Sequence, residues 1–419
     1  MSRHKKLTIG LFGFGVVGEG IYKVIEQTPS LNARIKKICI KHPEKDRNAD
    51  ASLFTTDAAS ILDDPEINVV AELIDDAEEA YQIVTAALEK GKAVVSANKK
   101  MVADHFAELV WLQQLLDQSF LYEAAVCGSI PIIRNLEEYY DNDLLQSFSG
   151  IVNGSTNYIL TKLSEGFTYS QALEEAKHLG FAESNPKLDV EGYDAANKLV
   201  ILLAHAYGIV TDPESLLRKG IHHLHPFDAA FASEKNYRIK LVARACKLAN
   251  GKVAAVVLPE FIHQESQLFN VSYEYNGITL ESKLADKQFL YGKGAGRYPT
   301  ASAVISDLSA LSYDYRYEYK KLHRQEKLGL SSDYFLRVYV SFDSWAEVNK
   351  WDFEEVTAFH STHERQYITG LIHADKLIQA DWFNQPSVSL VLLPDGIIKK
   401  ETLVTQHIKK LSLQLAGVN

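Results

Sequence analysis

A segment rich in carboxylates, with a lysine at its end, lies near the middle of the 419-residue chain. Asp194 and Lys198 are four residues apart at the start of DAANKLVILLAHAYG, which is apolar almost all round and therefore predicts a buried helix. At this spacing the two side chains share one helix face. Three more carboxylates, Glu183, Asp189 and Glu191, precede them. A lysine and carboxylates in this arrangement are candidates for acid–base chemistry and for binding a charged substrate.

The Asp194–Lys198 pair also has a plainer interpretation. On an exposed helix, a pair at this spacing is a solvated ion pair worth about 0.2–0.5 kcal/mol. Here the neighbouring residues are Ala195, Ala196 and Leu199. Charges on a mostly buried helix require partners or a water-filled cleft, so we favour a functional role for the pair.

A glycine-rich turn follows the first predicted strand, Leu7 to Phe12. The turn reads GFGVVG, the pattern G-x-G-x-x-G between a strand and a helix. In this pattern the first glycine permits the tight turn, the second lets a pyrophosphate approach the backbone, and the third allows close helix–strand packing. A purely structural turn is the alternative. The position of the pattern favours a dinucleotide site formed by Gly13, Phe14, Gly15, Val16, Val17 and Gly18.

The end of the second predicted strand, Ile35 to Ile40, bears on the choice of dinucleotide. An NAD-preferring site usually has an acidic residue at this point to bind the ribose hydroxyls. Here Lys41 follows the strand, with Lys45 and Arg47 close behind. We therefore expect a 2′-phosphate to be tolerated or preferred, although a solvated charge cluster explains the same residues.

Apolar strands and helices continue to alternate up to about Ala125, which predicts a doubly wound parallel sheet. Ligands of such sheets bind beyond the carboxyl ends of the strands. Ser96 and Lys99 lie at one such end, in the sequence SANK. We expect both residues at the cofactor crevice, although a lone lysine at a strand end is commonly just solvated.

Beyond Pro131 the pattern changes to a mixed α+β arrangement. A strand from Ser147 to Val152 runs into NGSTN, where Gly154 and Ser155 could present backbone N–H groups to an anion. A simple helix N-cap is the alternative. Later strands are predicted at 253–262 and at 268–282, the second turning at Asn276-Gly277. A second glycine-rich loop, GKGAG at 292–296, precedes another apolar helix.

Length and composition exclude several classes of protein. The chain is too long for one hydrophobic core, so two or three domains are expected. The net charge is −10 and no basic run is interleaved with aromatics, which argues against nucleic acid as a partner. Three widely spaced cysteines fit a reducing compartment without structural zinc. His222, His223 and His225 lack a carboxylate or cysteine that would complete a metal site. No signal peptide or membrane span is predicted, so we expect a cytoplasmic protein.

Taken together, these segments resemble the homoserine dehydrogenases. The matching stretches follow the order of that family: GFGVVG (13–18), SANK (96–99), EAAVCGSIPIIR (123–134), NGSTNYIL (153–160), GFAESNPKLDVEGYDAANKL (180–199) and GKGAGRYPTASAVISDL (292–308). The resemblance implies a Rossmann nucleotide-binding domain at 1–130, completed by 296–325, and an α+β catalytic and dimerisation domain at 131–295. It further implies a small α+β domain of ACT type at 326–419.

The resemblance also implies the reaction and the roles of residues. The expected activity is the reversible NAD- or NADP-dependent interconversion of L-homoserine and L-aspartate 4-semialdehyde, by a homodimer or homotetramer. Lys198 corresponds to the proton donor, and the residues implied in substrate binding are Glu183, Asp189, Asp194, Gly154 and Ser155. Lys99 would lie between cofactor and substrate, with Gly180 and Gly296 along the nicotinamide. A monovalent cation, Na⁺ or K⁺, would be bound through Glu123 and the main-chain oxygens of Val126, Gly128 and Ile130.

The chain departs from the family pattern at three places. At Cys127-Gly128-Ser129 the family more often has Ala or Gly, a difference that does not affect main-chain cation ligands. Asp75-Asp76 stands where the family usually has a glycine pair, and these carboxylates could weaken cofactor binding by repulsion. In the tail, a strand from Tyr334 to Ser341 is followed by a turn at Asp343 that lacks the glycine of the ACT effector site. Two further strands are predicted at 367–372 and 388–393. We expect the tail to be a remnant of an ACT domain that does not mediate feedback inhibition by threonine. The rival functions are a catalytically inactive ligand-sensing relative and a dehydrogenase of the same fold for another amino or hydroxy acid.

Overall fold

The computed structural model describes residues 5–142, 144–182 and 185–399. Glu183, one of the expected substrate-binding residues, lies outside these ranges, as do residues 400–419. Sixteen strands are described: β1 (Leu7–Phe12), β2 (Ala33–Cys39), β3 (Phe54–Thr55), β4 (Val69–Glu72), β5 (Ala93–Ser96), β6 (Phe120–Leu121), β7 (Leu145–Ile151), β8 (Leu217–Arg218), β9 (Tyr237–Lys247), β10 (Val253–His263), β11 (Tyr275–Ser282), β12 (Asp286–Lys293), β13 (Phe335–Phe342), β14 (Phe353–Ser361), β15 (Gln366–His373) and β16 (Ser389–Ile398).

Thirteen α-helices alternate with these strands in the described residues. They are α1 (Val16–Gln27), α2 (Ala59–Leu62), α3 (Ala77–Glu89), α4 (Lys99–Asp104), α5 (Phe106–Leu116), α6 (Ile132–Arg134), α7 (Gly154–Ser164), α8 (Tyr169–His178), α9 (Lys187–Val190), α10 (Tyr193–Tyr207), α11 (Pro226–Glu234), α12 (Arg297–Leu311) and α13 (Ala374–Gln379). None of the helices described is both long enough and apolar enough to cross a membrane.

Backbone contacts divide the chain into two units. The first comprises Met1–Asp143, Asn197–Pro213 and Leu290–Gln325, and the second comprises Leu144–Ala196, Glu214–Phe289 and Glu326–Asn419. The chain therefore passes from the second unit to the first within α10, between its first and second turns. It passes again within β12.

The first unit is built on a six-stranded sheet in the order β3-β2-β1-β4-β5-β6, and every pairing in it is parallel. This confirms the predicted doubly wound sheet. All six residues of β1, LTIGLF, are buried, as expected where helices cover both faces of a parallel sheet. The strand order reverses between β1 and β4, which is where ligands of such sheets bind.

The second unit is built on a ten-stranded, largely antiparallel sheet. Nine of its strands follow the order β12-β11-β7-β9-β10-β16-β13-β15-β14, and β8 pairs beside β10. The predicted turn at Asn276-Gly277 is wrong, because β11 continues straight through both residues. Gly277 pairs with Ile151 of β7, and a Cβ added to it would lie 2.7 Å from Val271. This glycine therefore serves close packing within the sheet.

The C-terminal tail contributes β13 to β16 to the same sheet. The three strands predicted for the tail are confirmed, and β14 was missed. Between β13 and β14, a fully described stretch, the chain forms a 3₁₀ turn at Lys350–Asp352 and no α-helix. The tail strands share one hydrophobic core with β10, in which Val256 and Leu258 pack in the same cluster as Leu336 and Val338. The tail is thus a continuous part of the second unit.

Candidate active site

A cavity of about 1290 Å³ opens at the carboxyl ends of the central strands of the first unit. Its lining includes the glycine-rich turn, the residues after β2, and the loop after β4. The charged residues in this lining are Lys41, Lys45, Asp46, Arg47, Asp75, Asp76 and Glu79. The cavity thus combines the predicted phosphate-binding turn with a mixed field of charges.

The three glycines of the turn differ in their backbone conformation and in the space around them. Gly13 has a φ of +91°, which side chains rarely allow. A Cβ added to Gly18 would lie 2.4 Å from the carbonyl oxygen of Gly13, so helix α1 can pack closely there. A Cβ added to Gly15 would meet no described atom within 4 Å. The backbone at Gly15 therefore faces open space at the N-terminus of α1, where an anionic pyrophosphate is favoured.

Three of the charged residues around this cavity, Lys41, Asp76 and Glu79, interact at the start of helix α3. Lys41 forms an ion pair with Glu79 on α3, and this hydrogen bond raises the pKa of the lysine. Asp76 caps the same helix by accepting a hydrogen bond from the backbone N–H of Glu79 at 2.9 Å. Asp76, the second of the two unexpected carboxylates, is therefore partly neutralised by the positive end of α3.

A buried hydrogen-bond network supports the loop that carries Lys99. The Ser96 hydroxyl donates to Glu72 at 2.6 Å and accepts from the backbone N–H of Asn98 at 3.0 Å. The Asn98 amide donates to the carbonyl of Ile74 at 3.1 Å. Burial raises the pKa of Glu72 to about 7. Lys99 follows as the first, half-buried residue of α4. The network ties the loop after β5 to the loop after β4. The loop after β4 lines the cavity, whereas Ser96 and Lys99 are not among its lining residues, so their place at the cofactor crevice stays a prediction.

In the second unit, Asn153 brings two of the predicted carboxylates together. Its side-chain nitrogen donates to Asp189 and to Asp194, each at 2.7 Å. Its side-chain oxygen caps α7 by accepting from the backbone N–H of Thr156 at 2.8 Å. The sequence analysis missed Asn153, because nothing in NGSTN indicates which carboxylates fold against the cap.

The two residues after Asn153 are half-buried and lie close to neighbouring backbone. A Cβ added to Gly154 would lie 2.8 Å from the carbonyl oxygen of Glu274. Ser155 donates its hydroxyl hydrogen to the carbonyl of Phe181 at 2.5 Å. The preceding residue of that loop, Gly180, has a φ of +75° and no described atom within 4 Å of an added Cβ. Gly296, with a φ of +117°, caps α12 in the first unit.

Helix α10 carries the two remaining groups. Asp194 is 6% exposed and Lys198 is 8% exposed, and the side chains from Leu199 to Leu203 are almost completely buried. The predicted buried helix is confirmed. Lys198 lies one turn after Asp194, so a buried lysine follows on a carboxylate that Asn153 holds in place.

The loop that starts at Glu123 was the expected cation site. Its carboxylate accepts hydrogen bonds from the backbone N–H groups of Ile133 at 2.8 Å and Arg134 at 2.9 Å. Burial raises the pKa of Glu123 to about 7. Cys127 and Gly128 are consecutive left-handed residues, and a Cβ on Gly128 would lie 2.6 Å from the carbonyl of Gly294. No three His, Cys, Asp or Glu side chains in the described part of the chain form a metal-binding group.

A parallel sheet with a G-x-G-x-x-G turn, together with a buried carboxylate and lysine one helical turn apart, is typical of an NAD(P)-dependent oxidoreductase. Two family models match the chain: "Homoserine dehydrogenase, NAD binding domain" over residues 13–123 and "Homoserine dehydrogenase" over residues 131–309. A curated relative, the homoserine dehydrogenase of Bacillus subtilis, is 36% identical over 322 residues, which cover 74% of each chain. The chain belongs to the homoserine dehydrogenase family.

Solved structures agree with this assignment. A homoserine dehydrogenase from Thiobacillus denitrificans matches with a TM-score of 0.80 and 29% identity, over 93% of this chain and 98% of that one. A hyperthermophilic archaeal homoserine dehydrogenase in complex with NADPH matches with a TM-score of 0.64 and 27% identity, over 74% of this chain and 99% of that one. The first match extends through most of the tail, whereas the second covers a smaller share of this chain.

Proposed function

We propose that Lys198 is the acid–base group in the oxidation of L-homoserine to L-aspartate 4-semialdehyde and in its reversal. The position of Lys198 one turn after Asp194 on a buried helix carries this proposal. In the oxidation, the hydroxyl of homoserine loses its proton to the lysine amine as a hydride leaves the same carbon. In the reduction, the ammonium returns the proton to the aldehyde oxygen.

The carboxylates hold the amino-acid end of the substrate in this proposal. Homoserine carries an ammonium group, which favours a pocket with several carboxylates. Asp189 and Asp194 are brought together by Asn153, and Glu183 is expected to join them. Gly154 and Ser155 lie at the N-terminus of α7, a location that favours the carboxylate of the substrate.

The cofactor proposed for the first unit is NADP(H) or NAD(H). When bound, its nicotinamide supplies or accepts the hydride. The open backbone at Gly15 and the positive end of α1 fit a pyrophosphate, and Phe14, Val16 and Val17 line the same cavity. Lys41 fits a 2′-phosphate, so we propose that NADP is used at least as well as NAD. Lys99, Ser96, Gly180 and Gly296 are assigned to the nicotinamide side.

A monovalent cation, Na⁺ or K⁺, is proposed at the loop from Glu123 to Ile130. The donor set consists of oxygens, which hard cations prefer, with main-chain carbonyls of Val126, Gly128 and Ile130. A cation there would also favour the ionised carboxylate of Glu123, which burial disfavours. Thermal stability in KCl or NaCl, compared with choline chloride at equal ionic strength, tests this site. A cation-specific gain should be absent in Glu123→Gln.

We further propose a cytoplasmic homodimer or homotetramer. The functional domains proposed from the sequence are 1–130 with 296–325, 131–295, and 326–419. Size-exclusion chromatography with light scattering tests the assembly.

The decisive experiment for the reaction is spectrophotometric oxidation of L-homoserine with NAD⁺ and with NADP⁺. Reduction of either cofactor by the wild type, but not by Lys198→Ala, supports the proposal. A wild type that reduces neither cofactor with homoserine overturns it. Reduction only with another amino or hydroxy acid would assign the same site to a different substrate.

A further inference from the structure

Residues 218–221, at the end of β8 and just beyond it, pack directly on the segment that carries Asp189. The backbone N–H of Ile221 donates to the carbonyl of Val190 at 2.7 Å. The Arg218 guanidinium donates to the carbonyl of Glu191 at 2.8 Å. A Cβ added to Gly220 would lie 2.2 Å from the carbonyl oxygen of Val190, so any side chain there must displace the segment. The residue after Asp189 is therefore held by main-chain contacts with this loop.

The same loop also reaches the start of α10. The Arg218 guanidinium lies over the ring of Tyr193, 3.5 Å from its centroid. Tyr193 is the first residue of α10 and precedes Asp194. A cation at this distance from an aromatic face is attracted to it, and the contact fixes both groups. Both carboxylates bonded to Asn153 thus have a direct neighbour anchored by residues 218–221.

On its other side, the loop is attached to the C-terminal tail. Lys219 is 4% exposed, and its ammonium donates to the carbonyl of Phe383 and lies 5.1 Å from the centroid of that ring. The Ser389 hydroxyl donates to the carbonyl of His223 at 2.5 Å. Residues 218–223, which we name the linking loop, therefore lie between the tail and the segment from Asp189 to Asp194.

The burial of Lys219 has an energetic cost, which its hydrogen bond to the tail offsets. Removing an ammonium from water is unfavourable unless it is hydrogen-bonded, and burial lowers the pKa of Lys219 to about 8. A charged group occupies this position, although a shorter apolar side chain would avoid the desolvation cost. Its long side chain spans from the linking loop to the backbone of the tail, which an apolar residue could not bind in the same way.

We propose that the tail supports the substrate-binding carboxylates through the linking loop, with Lys219 as a positioning residue. The inference rests on the proposed function, in which Asp189 and Asp194 bind homoserine. It gives the tail a role that needs no effector: the tail fixes the linking loop, and the loop fixes the backbone on either side of the two carboxylates.

The test compares Lys219→Met with Lys219→Arg and with Tyr339→Phe. Lys219→Met removes the donor to the tail, whereas Lys219→Arg keeps a donor of similar reach. Tyr339→Phe is the matched control, because the Tyr339 hydroxyl donates to Asp228 on α11 at 3.0 Å and so joins the tail to a different part of the second unit. We expect Lys219→Met to raise the KM for homoserine about five- to tenfold. The KM for the nicotinamide cofactor should stay unchanged, and Lys219→Arg and Tyr339→Phe should keep the homoserine KM of the wild type.

A second measurement does not depend on activity. Hydrogen–deuterium exchange at residues 187–193 should become faster in Lys219→Met and stay at the wild-type rate in Tyr339→Phe. If Lys219→Met does not fold, Ser389→Ala takes its place in both measurements. A wild-type KM and wild-type exchange in the Lys219 variant, or equal effects in Tyr339→Phe, overturn the inference. A wild type without homoserine turnover refutes the proposed function instead, and the exchange result still decides the support role.

Discussion

The side-chain nitrogen of Asn153 lies 2.7 Å from an oxygen of Asp194, and the same nitrogen lies 2.7 Å from an oxygen of Asp189. Two carboxylates that would otherwise repel each other are thus held by one donor group. Because the side-chain oxygen of Asn153 also caps α7, one residue ties the start of that helix to both carboxylates.

Asn153→Asp should weaken homoserine binding while leaving cofactor binding nearly unchanged. The substitution replaces the shared donor with a third carboxylate, so Asp189 and Asp194 lose their common partner and are repelled. We expect the KM for homoserine to rise at least about tenfold, since buried charge-assisted hydrogen bonds contribute about 1.5–3 kcal/mol. The control is Asn135→Ala, which removes an exposed amide that donates to Pro131. Equal KM values in the two variants would contradict the role of Asn153.

Lys198→Ala should abolish turnover and retain cofactor binding. Loss of a general acid–base group typically lowers the rate by about 10²–10⁴-fold. Steady-state kinetics measures kcat, and quenching of protein fluorescence by NADPH measures cofactor affinity. Lys100→Ala, an exposed lysine that pairs with Asp104, is the control. A Lys198→Ala enzyme with kcat within a few-fold of the wild type would contradict the assignment of Lys198 as the acid–base group.

Glu79→Gln should increase the preference for NADP over NAD. The Glu79 carboxylate pairs with Lys41 in the cavity lining, and in the proposed function it would compete there with a 2′-phosphate. Its removal frees the lysine and eliminates one repulsive charge, whereas Lys41→Asp should shift the preference towards NAD. The ratio of kcat/KM values for the two cofactors is the measurement. Glu89→Gln, at the far end of the same helix, is the control. A wild type with far lower kcat/KM for NADP than for NAD would refute the assigned preference.

Millimolar L-threonine should leave the rate unchanged. The carboxylate of Asp343, at the turn after β13, pairs with the buried Arg365, and no α-helix follows it before β14. The backbone arrangement expected of an effector site is therefore altered. Initial rates and thermal shifts should be measured on the complete chain, because the tail shares its core with β10. Saturable inhibition by threonine that is noncompetitive with homoserine, and is not produced by L-alanine, would show that an effector site exists.

Lys240→Met should flatten the rise of stability with pH above neutrality. Burial lowers the pKa of Lys240 to about 7, and the unfolded chain keeps its proton up to about pH 10.4. Between these values the unfolded state binds one more proton than the folded state. The free energy of unfolding therefore rises with pH, by at most about 1.4 kcal/mol per unit. The variant lacks this contribution. Thermal unfolding between pH 6.5 and 9 measures the difference, with the exposed Lys252→Met as control; parallel curves for Lys240→Met and the wild type would contradict it.

The nucleotide half of the molecule was predictable from the sequence because its signals are local. The turn and the helix that contain Gly13, Gly15 and Gly18 are adjacent in the chain. The structure gives Gly13 the positive φ and Gly18 the close packing that the pattern implies, whereas pyrophosphate binding at Gly15 stays a prediction. The burial of Asp194 and Lys198 was also predictable, since their apolar neighbours on the helix are adjacent in sequence. Contacts between residues far apart in the sequence were not predictable in this way. Asn153 and Glu72 became visible only once distant loops were folded against each other.

The errors in the second unit have physical causes of the same kind. Asn276-Gly277 is a strong local turn signal, but pairing of Gly277 with Ile151 keeps the chain extended. Strand β14 was missed because eight of its nine residues are exposed, so it lacks the alternation of buried and exposed positions that identifies a half-buried strand. It is an edge strand, held by pairing with β15 alone among the described strands.

The place of β16 in the sheet has a consequence for how the chain folds during its synthesis. This strand, which ends at Ile398, lies between β10 and β13 and joins the two halves of the sheet. A nascent chain that has not yet released residues 389–398 from the ribosome lacks the element that connects them. The sheet of the second unit can therefore be completed only after residues 389–398 have emerged, and until then the edge of β13 that pairs with β16 stays unpaired, open to aggregation or to protection by a chaperone.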